Sequence, residues 1–149
     1  MSIGPIDIAE DCIFCAIGSG SAPATRVAED DLTLTFMDIH PATPGHMLVI
    51  PKRHSDDLLG TAPDDLAAMA LSAQRAVGAA KTALGADGVN LLNCTGPVAW
   101  QSVFHVHLHV IPRYRDRGKD RLVLPWQPNV PGHPETLAAL GSRLRDGLS

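Results

Sequence analysis

Three histidines stand at alternate positions in the run Val103-Phe104-His105-Val106-His107-Leu108-His109-Val110-Ile111. A strand puts alternate side chains on one face, roughly 6.6–6.8 Å apart, so neighbouring imidazoles can share one small ligand while Phe104, Val106, Leu108 and Val110 line the other face. A neutral ring nitrogen can attack phosphorus and form a covalent intermediate, dividing one difficult hydrolysis into two displacements. The same three rings could instead ligate a catalytic metal that activates water. Just ahead of them, Gln101 and Ser102 carry donors able to stabilise negative charge on phosphate oxygens.

A second cluster is Cys12-Ile13-Phe14-Cys15. Three cysteines in the chain cannot all pair with one another, which argues against a secreted disulfide framework and for reduced thiols in the cytoplasm. A redox Cys-x-x-Cys belongs before a helix in a βαβ context, which this N-terminus does not suggest. Zinc needs two further ligands, and histidines can supply both. Cys94 is not spaced with the pair and reads as a buried or loop thiol.

The elements that must position these groups follow from hydrophobic periodicity. Leu32-Thr33-Leu34-Thr35-Phe36 alternates at period two, and His46 to Ile50 is a short apolar run halted by Pro51, so the two form an antiparallel pair across the turn residues 38–45. From Thr61 the period lengthens: Leu66, Met69, Ala73, Val77, Ala80 and Leu84 predict the main helix, with Pro63 in its first turn and Gly85 past its end. Gly78 inside it could let another element approach. Val89–Leu92 is a third strand and Ser102–Ile111 a fourth, longer one. Leu137, Leu140, Leu144 and Leu148 predict a final helix from about Pro134 that folds back onto the sheet.

The 149 residues suit one domain, 1–149, of α+β class. A formal charge of −4 excludes a large basic footprint for nucleic acid. The first twenty residues show no basic and apolar leader, and no run of eighteen apolar residues can span a membrane.

His105-Val-His107-Leu-His109-Val110-Ile111 resembles the signature of the histidine-triad (HIT) family. The similarity extends through Cys12-Ile-Phe-Cys15, Asp38-Ile39, Gly45-His46-Met-Leu-Val-Ile-Pro51-Lys52-Arg-His54 and Gln101-Ser102 to Ile111-Pro112-Arg113, in the family's order. The resemblance implies a HIT-like antiparallel sheet with a main helix and a C-terminal helix, a homodimer whose sheets join, and a nucleotide hydrolase or transferase acting at a nucleoside-monophosphate phosphorus. His107 is then the nucleophile. His109 contacts phosphate oxygens or steers the leaving-group proton, and Ser102 and Gln101 bind those oxygens. Asp38 takes the ribose hydroxyls, with Ile39, Phe14 and Phe36 as walls of the base slot, and Asn93 reaches sugar or phosphate. His46 bonds around the active histidine. Zinc-bearing relatives imply a structural zinc on Cys12, Cys15, His54 and His105, with the N-terminal zinc-binding segment at about 10–20 and the catalytic strand at about 102–111.

The leading expectation is purine nucleoside phosphoramidate hydrolysis. The alternatives are a dinucleoside polyphosphate hydrolase, a catalytic-zinc hydrolase and a non-catalytic nucleotide-binding protein. One position departs from the family pattern: Trp100 stands before Gln101, where relatives usually carry Gly. Gly permits backbone conformations that Trp resists, so the loop is expected either to take another course or to let the indole restrict the leaving-group side of the pocket.

Overall fold

The computed structural model describes residues 9–149, so the first residues of the leader reading lie outside the described part. The chain runs α1 (Ile13–Ser19), β1 (Arg26–Glu29), β2 (Thr33–Met37), β3 (Met47–Pro51), α2 (Pro63–Leu84), β4 (Gly88–Asn93), β5 (Leu108–Arg113) and α3 (Pro134–Leu148). The five strands form one antiparallel sheet in the order β1-β2-β3-β5-β4.

Period-two alternation sorts the sheet into two faces. Met47, Val49 and Val110, joined by Val106 and Tyr114, pack on Met69, Ala73, Ala76 and Ala80 of α2. Small alanines let the helix approach the sheet closely. Leu34, Phe36, Leu48 and Ile50 point the other way, onto Phe14 and Ile17 of α1. A buried Thr33–Ser72 hydroxyl pair at 2.7 Å satisfies the polar groups under α2. The close approach expected at Gly78 is absent, because open space surrounds that position. It occurs at Gly45, whose φ is +89° and where a Cβ would strike Leu84 and crowd Pro112.

Two elements carry no sequence signal, and two expectations need correction. The helix α1 starts at the cysteine pair, with Cys12 at its N-cap and the Cys12 Sγ accepting the Cys15 N–H at 3.3 Å. The edge strand β1 is exposed on both faces, so no alternation announced it. The catalytic strand is shorter than residues 102–111 and shifted, because the backbone before Leu108 is bonded elsewhere. The His105 carbonyl accepts from the His107 ring at 2.7 Å, the His107 carbonyl from Asn93 Nδ2 at 3.0 Å, and the Val106 N–H donates to the Ser55 carbonyl at 2.7 Å. Phe104 is half exposed instead of lining the core face. Finally, α3 does not fold back onto the sheet: none of its residues is buried, and Leu137, Leu140, Leu144 and Leu148 face outward.

Candidate functional site

The three histidines keep to one side of the chain, and Phe14 of α1 orders the first two. Its ring makes edge contacts with His105 and His107, with centroids 6.0 and 5.2 Å apart, and His107 in turn meets His109 at 4.9 Å. Beyond this shared side, hydrogen bonds divide the triad into two sites.

His105 belongs to the cysteines. Its Nε2–H donates to the Pro51 carbonyl at 2.8 Å, which leaves the Nδ1 lone pair 3.4 Å from both Cys12 Sγ and Cys15 Sγ. His54 has the same arrangement: Nε2 faces the Asp56 carboxylate at 2.8 Å, and Nδ1 lies 3.4 Å from Cys15 Sγ. The four ligand atoms lie within 4.8 Å of one another. Two thiolates with two imidazoles, each ring held by an acceptor on its other nitrogen, are the donor chemistry and outer support of a closed tetrahedral zinc site. Asp56 was missed in the sequence, although its spacing of two from His54 was the available signal. The triad therefore does not offer three rings to one metal.

His107 is buried. A carbonyl can only accept, so the bond to the His105 carbonyl puts the proton on Nδ1 and leaves the Nε2 lone pair for attack. Burial holds its pKa below the ordinary imidazole value, against the opposing pull of that carbonyl and of Asp38. His109 is also pushed down, to about 4, first by burial and then by His107 and His46. Both rings are therefore neutral near pH 7.

His46 fixes the state of His109. The Ala42 N–H donates to His46 Nδ1 at 3.0 Å, so the His46 proton sits on Nε2. That N–H lies 2.9 Å from His109 Nδ1 and 3.5 Å from Asp38 Oδ2. His109 Nδ1 must then accept, and its own proton is on Nε2. A nucleophilic Nε2 on His107 thus stands beside an N–H donor on His109.

Asp38 reaches this group with one oxygen, Oδ2, 4.0 Å from His109 Nδ1, while Oδ1 accepts the His40 N–H at 2.8 Å and holds the turn. Ile39 is 84% exposed beside it, whereas Phe36 is core and Phe14 is the floor under His107, so only Ile39 among the three is an open wall. Asn93 uses Nδ2 to hold the His107 carbonyl, while its Oδ1 accepts from Thr95 at 2.8 Å. Gln101 is buried, with Nε2 donating to the carbonyls of Asp56 and Val103 and Oε1 accepting the Gly96 N–H. Its amide ties the loop instead of aiming a donor outward, which corrects the expectation that it binds phosphate directly. Ser102 is exposed next to it. Cys94 is buried, and burial raises its thiol pKa, as befits an inert core sulfur.

Trp100 resolves the loop question. Its φ of +73° is the left-handed conformation a glycine adopts freely, so the loop keeps that course despite the side chain, and the indole projects outward, 67% exposed.

Comparison with known proteins agrees with this architecture. A HIT domain model matches residues 19–116. The adenosine 5'-monophosphoramidase hnt1 of Schizosaccharomyces pombe is 35% identical over 133 residues, covering 89% of this chain and 95% of that protein. A HIT-family crystal structure from Bacillus subtilis superposes with a TM-score of 0.85 at 35% identity, over 94% of this chain and 99% of that one. A zinc-bound histidine triad family protein from Mycobacterium smegmatis matches with a TM-score of 0.71 at 44% identity, over 89% and 97%. The chain thus belongs to the HIT domain family and is one of its enzymes.

Proposed function

We propose that this enzyme hydrolyses nucleoside phosphoramidates through a nucleotidyl intermediate on His107. The observation that carries the reading is the fixed proton on His107 Nδ1, which frees Nε2 beside the His109 donor. In the first displacement Nε2 attacks phosphorus and the P–N bond to the amine breaks. The departing amine takes a proton from solvent at the exposed Ser102 end. Water then attacks phosphorus, the P–Nε2 bond breaks, and a proton returns to solvent, regenerating neutral His107. His109 Nε2–H and the Ser102 hydroxyl donate to the phosphoryl oxygens as charge develops. Asp38 and Ile39 receive the ribose and base, while Asn93 and Gln101 hold the catalytic backbone. The phosphoramidase relative supports the amine as leaving group.

Zinc is structural in this reading. It would be held by Cys12, Cys15, His54 and His105 and would tie α1 to the loop after β3 and to the segment before β5. Its support is the donor set and the zinc-bound relative from Mycobacterium smegmatis. We take the working unit to be a cytoplasmic homodimer joined through the sheets, for which β4 offers an edge with no further strand among the described residues. No described helix is long and apolar enough to cross a membrane.

Brief exposure to adenosine phosphoramidate followed by intact-protein mass spectrometry should show an adenylyl adduct that maps to His107 and is absent in His107→Ala. Turnover by folded His107→Ala at the unmodified rate would refute the reading.

A further inference from the structure

The residues paired across β4 and β5 define an apolar groove on the catalytic side of the sheet. Leu92 lies directly opposite His109, and Asn90 opposite Ile111, so these side chains share the His109 face. A groove of about 690 Å³ begins there, bounded by Leu92 and Ile111 and walled by Trp100, Val123, Leu124 and Trp126. It adjoins the site: its wall residue Leu92 pairs with His109 across the sheet, and Ala42, which donates to His46, lies on its lining. Trp126 is 65% exposed, like Trp100, and two such indoles on one groove exceed the scattered apolar exposure of an ordinary surface.

The groove's one cation is already committed. Arg113 donates to both oxygens of Asp120, to Asn90 Oδ1 and to the Leu122 carbonyl. A polyphosphate or sulfate leaving group would therefore find no unengaged positive charge among the lining residues. A flat, uncharged ring would find two indole faces. The left-handed Trp100 backbone is consistent with use: a strained residue keeps a large exposed aromatic at the entrance.

We infer that this groove binds the leaving group, and that the preferred substrates are phosphoramidates of apolar aromatic amines. The inference rests on the phosphoramidase reading and reverses the expectation that Trp100 restricts bulky leaving groups.

The test compares adenosine 5'-phosphoramidates of methylamine, butylamine and 2-phenylethylamine. Wild-type kcat/KM should favour the aromatic over the methyl compound by about tenfold or more, with butylamine between them. Trp126→Ala and Trp100→Gly should each shrink the aromatic-to-methyl ratio by about fivefold. Binding is measured alongside through tryptophan fluorescence, so a chain that hydrolyses none of the three still answers: tighter binding of the aromatic compound upholds the groove while the hydrolytic reading falls. A ratio near one in both measurements overturns the inference. So does an unchanged ratio in Trp126→Ala accompanied by dissociation of a dimer in sedimentation velocity, which would assign the groove to contact between copies.

Discussion

His107 and His109 differ by one proton position, and backbone groups decide it. The His105 carbonyl writes the tautomer of His107, and the Ala42 N–H writes that of His109 through His46. Both rings work neutral, so the pH profile follows. Because burial holds both rings below the ordinary imidazole value, kcat/KM should begin to fall only at a pH below that of an ordinary imidazole, with the His109 contribution lost as the pH approaches 4. An ordinary imidazole would already be half protonated near pH 6.5, and a rate loss centred there would contradict the burial argument. Stability has the same sign: between about 6.5 and 4 the unfolded chain binds a proton that folded His109 refuses, so stability falls as pH drops through that window. Trp100 gives a second residue-scale prediction. Because its φ is positive and its indole exposed, Trp100→Gly should exceed Trp100→Ala in stability by about 1 kcal/mol, measured by denaturant unfolding.

Among the elements, those with a buried face were legible and those without one were not. The alternation of Leu34 and Phe36, and the helical spacing of Met69, Ala73 and Ala80, report real packing. β1 buries nothing, and α1 is only seven residues long, so neither left a periodic trace. The segment before Leu108 deceived by a different route: side chains alternate there as in a strand, yet its carbonyls are taken by His107 and Asn93 and no ladder forms. The alternation of His105, His107 and His109 was legible from their spacing, whereas His54 entered only by resemblance, Asp56 left no trace beyond its spacing of two from His54, and Ala42 and the carbonyl of Pro51 gave no signal. Tertiary hydrogen bonds selected them. For α1 the expected outcome is specific: Cys12→Ser should lower zinc from about one per chain and reduce the melting temperature by several degrees, read by elemental analysis and calorimetry. Full zinc occupancy with unchanged melting would argue against the closed site.

At the scale of the molecule, the fold divides into a sheet packed on both faces and a C-terminal helix that packs on neither. α3 carries its leucines outward, with Leu144 and Leu148 70% and 88% exposed. Deleting residues 134–149 should therefore cost the chain about 0.5 kcal/mol or less in chemical denaturation. A loss of several kcal/mol, dependent on protein concentration, would show that the leucine stripe is buried against a second copy. The polar counterpart is the Arg113–Asp120 pair, where the Arg113 guanidinium holds the buried carboxyl down to about 2 and fixes the chain as it leaves β5. Asp120→Asn should destabilise the fold by about 2–3 kcal/mol, measured at neutral pH, because it removes half of a largely buried pair.

His105 carries two duties on one residue: its ring faces Cys12 and Cys15, and its carbonyl sets the proton on His107. In the proposed reaction no sulfur touches the substrate. Even so, oxidation of Cys12 and Cys15 to a disulfide would take the thiolate side from the His105 ring, leaving it hydrogen-bonded to the Pro51 carbonyl and, through the same peptide unit, loosening the acceptor that sets the His107 tautomer. Such a disulfide would then slow phosphorus chemistry two residues away, and a thiol reductant with added zinc would restore it.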